Sequence, residues 1–501
     1  MILNLLRDRW IPVHQYGEMV MVRPDGIVAP GVTELAWARP DFNLACLELL
    51  IGLVSLTYPP EDDADWKGKL ENPDVDQIRE RMELFAEHFQ LGGNGPRFLQ
   101  DLEAFERDAK PSDTKPVDML FVDSAGSSTA GKNADLMVKR NRFSVLEPAE
   151  AAMALYTLQA FAPAGGAGNR TSMRGGGPMT TLVQPVGLKP EQMPLWRLIF
   201  SNVLPRPRLP ASDAHMALPW LRPTLTSERG QVVVSNETHS LEAFFGMPRR
   251  LRLVFEANQV TGVVQRPYGT NYSAWTHPLT PYYRRKEDDP EWLPVHPGAG
   301  RLSYRNWLGT TMDNCQDGAG TRENAQAFRA YNNRPHSPNY EVLVGGWTMD
   351  NMKPVDFTLD TYPGLRGLDE DGVDRVHCLV EAASVASGAV RKALKVACHL
   401  DGTSLASVAE AFYAETEERF VFSVQEISGG GGAEVEENWY SVLNRVAGRM
   451  FDEQVLTGLT DHDIAGIERR VKAKRNLHGE LARRVRSRLN LASPGKKEGR
   501  A

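Results

Sequence analysis

Between Gly165 and Gly177 the chain reads Gly-Gly-Ala-Gly-Asn-Arg-Thr-Ser-Met-Arg-Gly-Gly-Gly, six glycines and two arginines in thirteen residues. Glycine leaves backbone N–H and C=O groups uncovered and loses more conformational freedom on folding than any other residue. Such a run suits a backbone that must come very close to another surface, and Arg170 and Arg174 suggest that this surface is anionic. The bland alternative is a flexible surface loop. The flanking pattern argues against ATP: Glu147–Phe161 reads as a helix with Pro148 in its first turn, and Thr180–Gln184 as a strand. A phosphate-binding P-loop runs strand, loop, helix and carries Gly-Lys-Ser/Thr, and neither condition holds here.

Other residues capable of chemistry are His277, the run Asp461-His-Asp463 and the acidic run Glu61-Asp-Asp63. None has the spacing of a metal site or of a nucleophile and its base. His277 reads as a satisfied structural histidine, and Asp461–Asp463 as the N-cap of a helix. The expectation is a protein that is not an enzyme and carries no cofactor or metal. The four cysteines, Cys46, Cys315, Cys378 and Cys398, form no CxxC pair. Cys378 and Cys398 fall on one predicted helix, about 30 Å apart, so they cannot bridge. That usage is expected of a reducing, cytoplasmic compartment.

The elements that hold these residues come from a chain of 501 residues, 42% hydrophobic and 24% charged, long enough for two or more domains. The strongest apolar run, Leu44–Tyr58, is interrupted by Glu48 and is shorter than the ~20 residues of a membrane span. Asp41 is expected to cap a buried helix over Leu44–Thr57, and Asp74–Phe89 to form an amphipathic one. Arg249–Phe255 and Val260–Arg266 read as a hairpin turning through Ala257–Gln259.

Residues 1–365 read as a mixed α/β domain. Asp360–Gly372, with its proline, glycines and acidic cluster, reads as a boundary. Beyond it lie four long helical patterns, Val373–Leu400, Ser404–Ser428, Ala433–Leu459 and Asp463–Leu489, which make residues 373–490 a four-helix bundle. The fold class expected is α+β. Ser428–Gly432 reads as a flexible turn inside the bundle, and residues 491–501 as a disordered basic tail.

The net charge is −7, but from Glu468 to Ala501 twelve lysines and arginines stand against three acids. Any polyanion contact is therefore localised at that end. The last helix carries an apolar stripe at Ile464, Ile467, Val471, Leu477, Leu481, Val485 and Leu489. Arg469, Arg470, Lys472, Lys474, Arg475, Arg483, Arg484, Arg486 and Arg488 occupy its other faces. They read either as a solvated face or as one that tracks phosphates.

Several segments together resemble the CasA family, the large subunit of the type I-E Cascade complex of bacterial CRISPR surveillance. They are Leu5–Val13, the unit from the glycine loop through Met173–Thr181, Arg266-Pro-Tyr-Gly-Thr-Asn-Tyr-Ser-Ala-Trp-Thr-His-Pro-Leu-Thr-Pro281, and Gly345-Gly-Trp-Thr-Met-Asp-Asn-Met-Lys353. They occur in the family's order, and the likeness covers essentially the whole chain. It implies a subunit that inspects double-stranded DNA for a short protospacer-adjacent motif, starts strand separation there and helps recruit a helicase–nuclease. The partners implied are target DNA, the guide-RNA-containing subunits including the small ones, and that nuclease.

By the same resemblance Gly165, Gly166, Ala167 and Gly168, with Asn169 and Arg170, would enter the minor groove. Arg266 falls where relatives commonly have lysine, and would reach the same groove; on local sequence it is otherwise a surface arginine at a strand end. Asp350, Asn351, Met352 and Lys353 occupy the place of a wedge, although locally they spell an Asx-type turn. Relatives can have glutamine where Asn351 sits. Phe121 and Asp123 match the start of a loop, running here through Lys132, Lys139, Arg140 and Arg142, that anchors the subunit near the guide RNA. Free, that loop is expected to be disordered; an aromatic such as Phe121 is otherwise a core residue. Arg469, Lys472, Arg475, Arg483, Arg484, Arg486 and Arg488 would meet DNA strands and the small subunits. Some relatives have a cysteine cluster ahead of the hairpin; this chain has none. The competing reading is a structural scaffold that joins other subunits without touching DNA.

Overall fold

The computed structural model describes all residues except 1–2, 133–138, 167, 236–238, 287–288, 299–301, 308–309, 311–321, 335–336, 366–367, 456–463 and 493–501. Ala167, Cys315, Asp461–Asp463 and most of the basic tail thus lie outside the described residues. The chain divides into two compact units, one of Met1–Ala299 with Gln316–Tyr362, the other of Gly300–Cys315 with Pro363–Ala501.

The first unit is built around two helices with no polar face. Helix α1 (Pro40–Thr57) is apolar enough to cross a membrane by length and composition, yet 89% of that window is buried inside the fold. A helix that is hydrophobic all round belongs in a core. Its start differs from expectation: Asp41 lies inside the first turn rather than at the cap, because Pro40 opens the helix and Arg39 holds the cap position. Arg39 then grips Asp41 through two hydrogen bonds of 2.9 Å. Helix α2 (Pro148–Phe161) packs on α1 and is buried from Ala151 to Gln159. The expected helix over 74–89 stops early. Asp74 caps Val75–Glu83, and the chain then tightens into a 3-10 turn at Ala86–His88, which lets Phe85 and Phe89 both turn inward.

Two small antiparallel sheets flank these helices. Strand β1 (Thr180–Pro185) pairs with β4 (Tyr340–Asp350), which also pairs with β5 (Lys353–Pro363). The hairpin of β2 (Arg250–Glu256) and β3 (Gln259–Arg266) turns through Ala257 and Asn258, both at positive φ. Two positive-φ residues match the twist of a tight hairpin. A two-residue strand, Thr114–Lys115, joins the other edge of β3, with Lys115 opposite Val263. Gly262 makes that approach possible, since a side chain there would strike Thr114.

Among the described residues the second unit holds four long helices: α3 (Glu370–Cys398), α4 (Gly402–Ser428), α5 (Glu434–Val455) and α6 (Ile464–Glu480). Asp369 and Asp401 cap α3 and α4 by accepting from the N–H groups of Gly372 and Ser404. Trp439 donates its indole N–H to the Leu379 carbonyl at 3.0 Å, tying α5 to α3. Tyr304, far upstream in sequence, stacks on Phe420 at 4.1 Å and shares a 2.7 Å hydroxyl bond with Thr416. The Ser428–Gly432 run is hydrogen-bonded to both flanking helices and to α3. The Gly431 N–H donates to Glu426, and Arg375 donates to the Gly431 and Gly432 carbonyls.

The last helix departs from its expected stripe. Ile464 and Val471 are 77% and 61% exposed, whereas Gly466, Arg470, Ala473, Leu477, Leu481, Val485 and Leu489 are buried. The departure lies in the first half of the helix: counted back from Leu477 at helical spacing, the inward face runs through Ala473, Arg470 and Gly466 rather than Val471, Ile467 and Ile464, so Arg470 is buried rather than part of the solvated face. A π turn at Leu481–Val485 keeps Leu481, Val485 and Leu489 on that inward face.

Candidate functional site

The glycine run splits into two parts with different jobs. Its second half is structural. Arg174 is 2% exposed and pairs with Glu48 of α1 at 2.6 Å, itself 1% exposed. The anion this arginine meets is therefore internal, against the expectation of an external one. Arg174 also donates to the hydroxyls of Thr180 and Thr280 at 3.2 and 3.1 Å. Burial pushes the Glu48 carboxyl upward and Arg174 opposes that shift. His277 stands 3.6 Å from Glu48 with its Nδ1 accepting from the Leu279 N–H, while its Nε2 has no hydrogen-bond partner. Burial and then the charge of Arg174 keep it neutral. It is a core histidine, but not the satisfied one expected.

The first half is the projecting part. Ser172 donates its N–H to the Ala162 carbonyl at 3.0 Å, closing a loop at its neck. Within it Gly165 donates to Asn169 at 3.0 Å, and Asn169 to Gly166 at 3.2 Å, forming a tight tip. Gly165 and Gly166 are exposed, and a Cβ on Gly166 would meet nothing within 4 Å. Gly168 is different. Its φ is +72°, and a Cβ there would lie 2.8 Å from the Tyr268 ring and 3.0 Å from the Tyr268 nitrogen. Only glycine fits that position. Arg170 is tied down, donating through Nε to the Ser227 hydroxyl at 2.8 Å.

Two segments distant in sequence meet this loop, one at its tip and one at its stem. The Gly269 N–H donates to the Gly168 carbonyl at 3.2 Å, and Gln265 Nε2 donates to Asn169 Oδ1 at 3.0 Å, so the end of β3 lies beside the loop. Arg266 is exposed there, its guanidinium over the Phe105 ring at 5.2 Å, and it makes no ion pair with the described residues. Met352 lies instead at the loop's stem, where a Cβ at Gly176 would stand 3.0 Å from Met352 Sδ and 3.1 Å from Pro163 Cα. Met352 and Asn351 form the two-residue turn between β4 and β5, with φ of +61° and +48°. Asn351, Met352 and Lys353 are exposed, and Asn351 Nδ2 donates to Asp350 at 2.9 Å.

The chain matches the family profile described as CRISPR-associated protein Cse1 over residues 4–450. The chain belongs to the Cse1 family. Among solved structures it is similar to CasA (Cse1) of Thermus thermophilus, with 18% identity, a TM-score of 0.71, and coverage of 96% of this chain and 99% of that one. It is similar to Cse1 of Thermobifida fusca at 16% identity, a TM-score of 0.67 and coverage of 98% and 99%. A chain of a CRISPR RNA-guided surveillance complex matches at 16% identity, a TM-score of 0.66 and coverage of 95% and 99%. At such identities these structures speak for the shared fold: a mixed α/β body with a helical bundle.

In this Cse1-family chain the remaining expected residues are engaged as follows within their own units. Phe121 is 4% exposed, stacked between Phe42 at 5.8 Å and Phe143 at 4.8 Å, with Arg39 and Arg142 over its ring. It is a core aromatic rather than an exposed anchor. Asp123 binds Arg142 at 2.6 Å and Arg39 at 3.4 Å. After it comes a short helix at Ser127–Gly131, and Lys132, Lys139 and Arg140 are exposed. On the bundle, several basic residues already have acids. Lys474 meets Asp452 at 2.7 Å, Arg484 meets Glu480 at 3.7 Å, Arg486 meets Glu437 at 2.7 Å, and Arg488 meets Glu381 at 3.1 Å. Arg469 is half-buried, and Arg483 bonds back to Gly479. Lys472 and Arg475 are exposed without an ion pair among the described residues.

Sequence reasoning missed Tyr268, Gln265, Arg249 and Phe105, which support the tip. The adjacent Tyr268-Gly269 was the available signal, because Gly269 packs so tightly on Pro248 that a side chain there would overlap it. The acidic run Glu61–Asp63 is structural: Asp62 caps a helix, and Asp63 pairs with Arg334 at 2.7 Å.

Proposed function

We propose that this chain is the non-catalytic subunit of an RNA-guided CRISPR complex that inspects duplex DNA beside the guide-paired target, reading a short flanking motif through the minor groove. The observation that carries this reading is that one glycine loop has the end of β3, with exposed Arg266, beside its tip and the Asn351–Met352 turn against its stem. A minor groove about 6 Å wide admits main chain where side chains would clash, and its base edges distinguish few pairs. Gly165 and Gly166 enter it, and reading is permissive. Arg266 follows, since guanidinium suits a narrow electronegative groove. Met352 and Asn351 press on the base pair beyond the motif, as apolar wedges do at kinked steps. Guide pairing supplies the rest of the specificity. Lys132, Lys139 and Arg140 face the guide-RNA-bearing subunits, Lys472 and Arg475 face the strands and small subunits, and the opened duplex recruits a helicase–nuclease.

The experiment that separates this reading from a scaffold is Gly166→Leu in the reconstituted assembly. A Cβ there meets nothing within 4 Å, so folding and assembly are expected to be retained. Duplex binding is lost if the tip enters a groove, and is retained if the chain only joins other subunits.

A further inference from the structure

The loop tip rests on cations that no carboxylate offsets. Arg249 is 7% exposed and pairs with no acid among the described residues. Its guanidinium donates to the Pro163 carbonyl at the loop's stem, its Nε is buried without a partner, and Nη1 would lie 3.2 Å from a Cβ on Gly165. Gln159 at the end of α2 fixes its backbone, accepting from the Arg249 N–H and donating to its carbonyl, both at 3.0 Å. Burial pushes Arg249 down to about 10, which leaves it charged at neutral pH.

Lys115 is the second cation. Its ammonium donates to Gln265 Oε1 at 3.0 Å, and the same amide donates onward to Asn169 Oδ1 at 3.0 Å. The lysine is solvent-accessible at the residue level and has no ion pair among the described residues. Partial desolvation and then the charge of Arg249 hold it below the usual lysine range, as two cations on one side of a loop should. A protein that kept Lys115 only for its fold would gain by supplying an acid; here an amide stands in its place and passes the contact to the tip.

The geometry points to Lys115 as a DNA-phosphate contact beside the loop tip, held in place by Gln265 and reinforced by the fixed charge of Arg249. With the tip in a groove, phosphates line both walls. Lys115 reaches one wall from the short strand on β3, while Arg249 lies under the loop and raises the potential there without touching the ligand. This rests on the reading under Proposed function and adds a positioning amide and a phosphate-binding residue to it.

The test uses the full chain in the reconstituted assembly and a guide-matched duplex carrying its best-bound flank, with affinity measured across a salt series. Lys115→Gln keeps a polar group for Gln265 and removes the charge. The expected result is weaker binding at low salt, a plot of log affinity against log salt shallower by about one, and unchanged thermal unfolding and assembly. An unchanged slope, or a loss of assembly or unfolding temperature in Lys115→Gln, overturns the inference. Gly166→Leu in the same assay separates the two readings. If it weakens binding while Lys115→Gln does not, only the Lys115 contact fails; if Gly166→Leu binds normally, both fall.

Discussion

At the residue scale, adjacent glycines do different work, and stability measurements should separate them. Gly168 is held at positive φ against Tyr268, so Gly168→Ala is expected to destabilise the body by about 1–2 kcal/mol, the cost of a side chain in the left-handed region. Gly166→Ala meets open space and should fall within about 0.5 kcal/mol of the parent. Urea unfolding followed by a signal from the body checks both; equal losses would mean that the loop has another conformation. The same scale explains what a sequence can and cannot disclose. The glycine density advertised a special backbone, but Arg174 looked like half of an anion site because its partner, Glu48, lies 126 residues away. Burial decides between an internal and an external partner, and burial is not written locally.

At the element scale, hairpins and helices were legible because period and turn chemistry are local. Helix 148–161, the Ala257–Asn258 turn and the four long helices all follow from spacing and caps. The phase of the last helix's first half was not legible, since its inward face carries a glycine and an arginine, Gly466 and Arg470, while the apolar Ile464 and Val471 face outward. Two elements carry predictions. The Asn351–Met352 turn places a methionine at φ +61° with 45% of its surface exposed. Met352→Gly should therefore stabilise the hairpin by about 1 kcal/mol while impairing duplex opening, measured by base fluorescence next to the motif. Strain kept for function gives those opposite signs; a loss of stability would contradict it.

The Phe121 stack carries the second prediction. Burial alone would raise the Asp123 carboxyl, but the hydrogen bonds and charges of Arg142 and Arg39 outweigh it and hold it below the usual aspartate range. A carboxyl depressed in the fold adds stability that is present above the ordinary value of about 3.9 and is lost as pH falls through the folded value. Unfolding temperature should thus drop more steeply below about pH 4 in the parent than in Asp123→Asn, which lacks that increment at every pH. Parallel pH profiles would show that the pair is not coupled to folding.

At the scale of the whole molecule, the loop tip with Arg266, Lys115 and Arg249 gathers cations that make no ion pair among the described residues. The bundle pairs four of the nine basic residues of its last helix, Lys474, Arg484, Arg486 and Arg488, with its own acids. Exposed main chain at one small surface reads little sequence, which suits a subunit whose assembly takes its specificity from a guide. The most direct measurement is duplex binding by the reconstituted assembly, with and without this chain, across all flanking trinucleotides at fixed guide pairing. Motif-dependent binding is predicted only when the chain is present, with several related trinucleotides accepted and all preference lost in Gly166→Leu. The same ranking of trinucleotides with or without the chain would contradict the account.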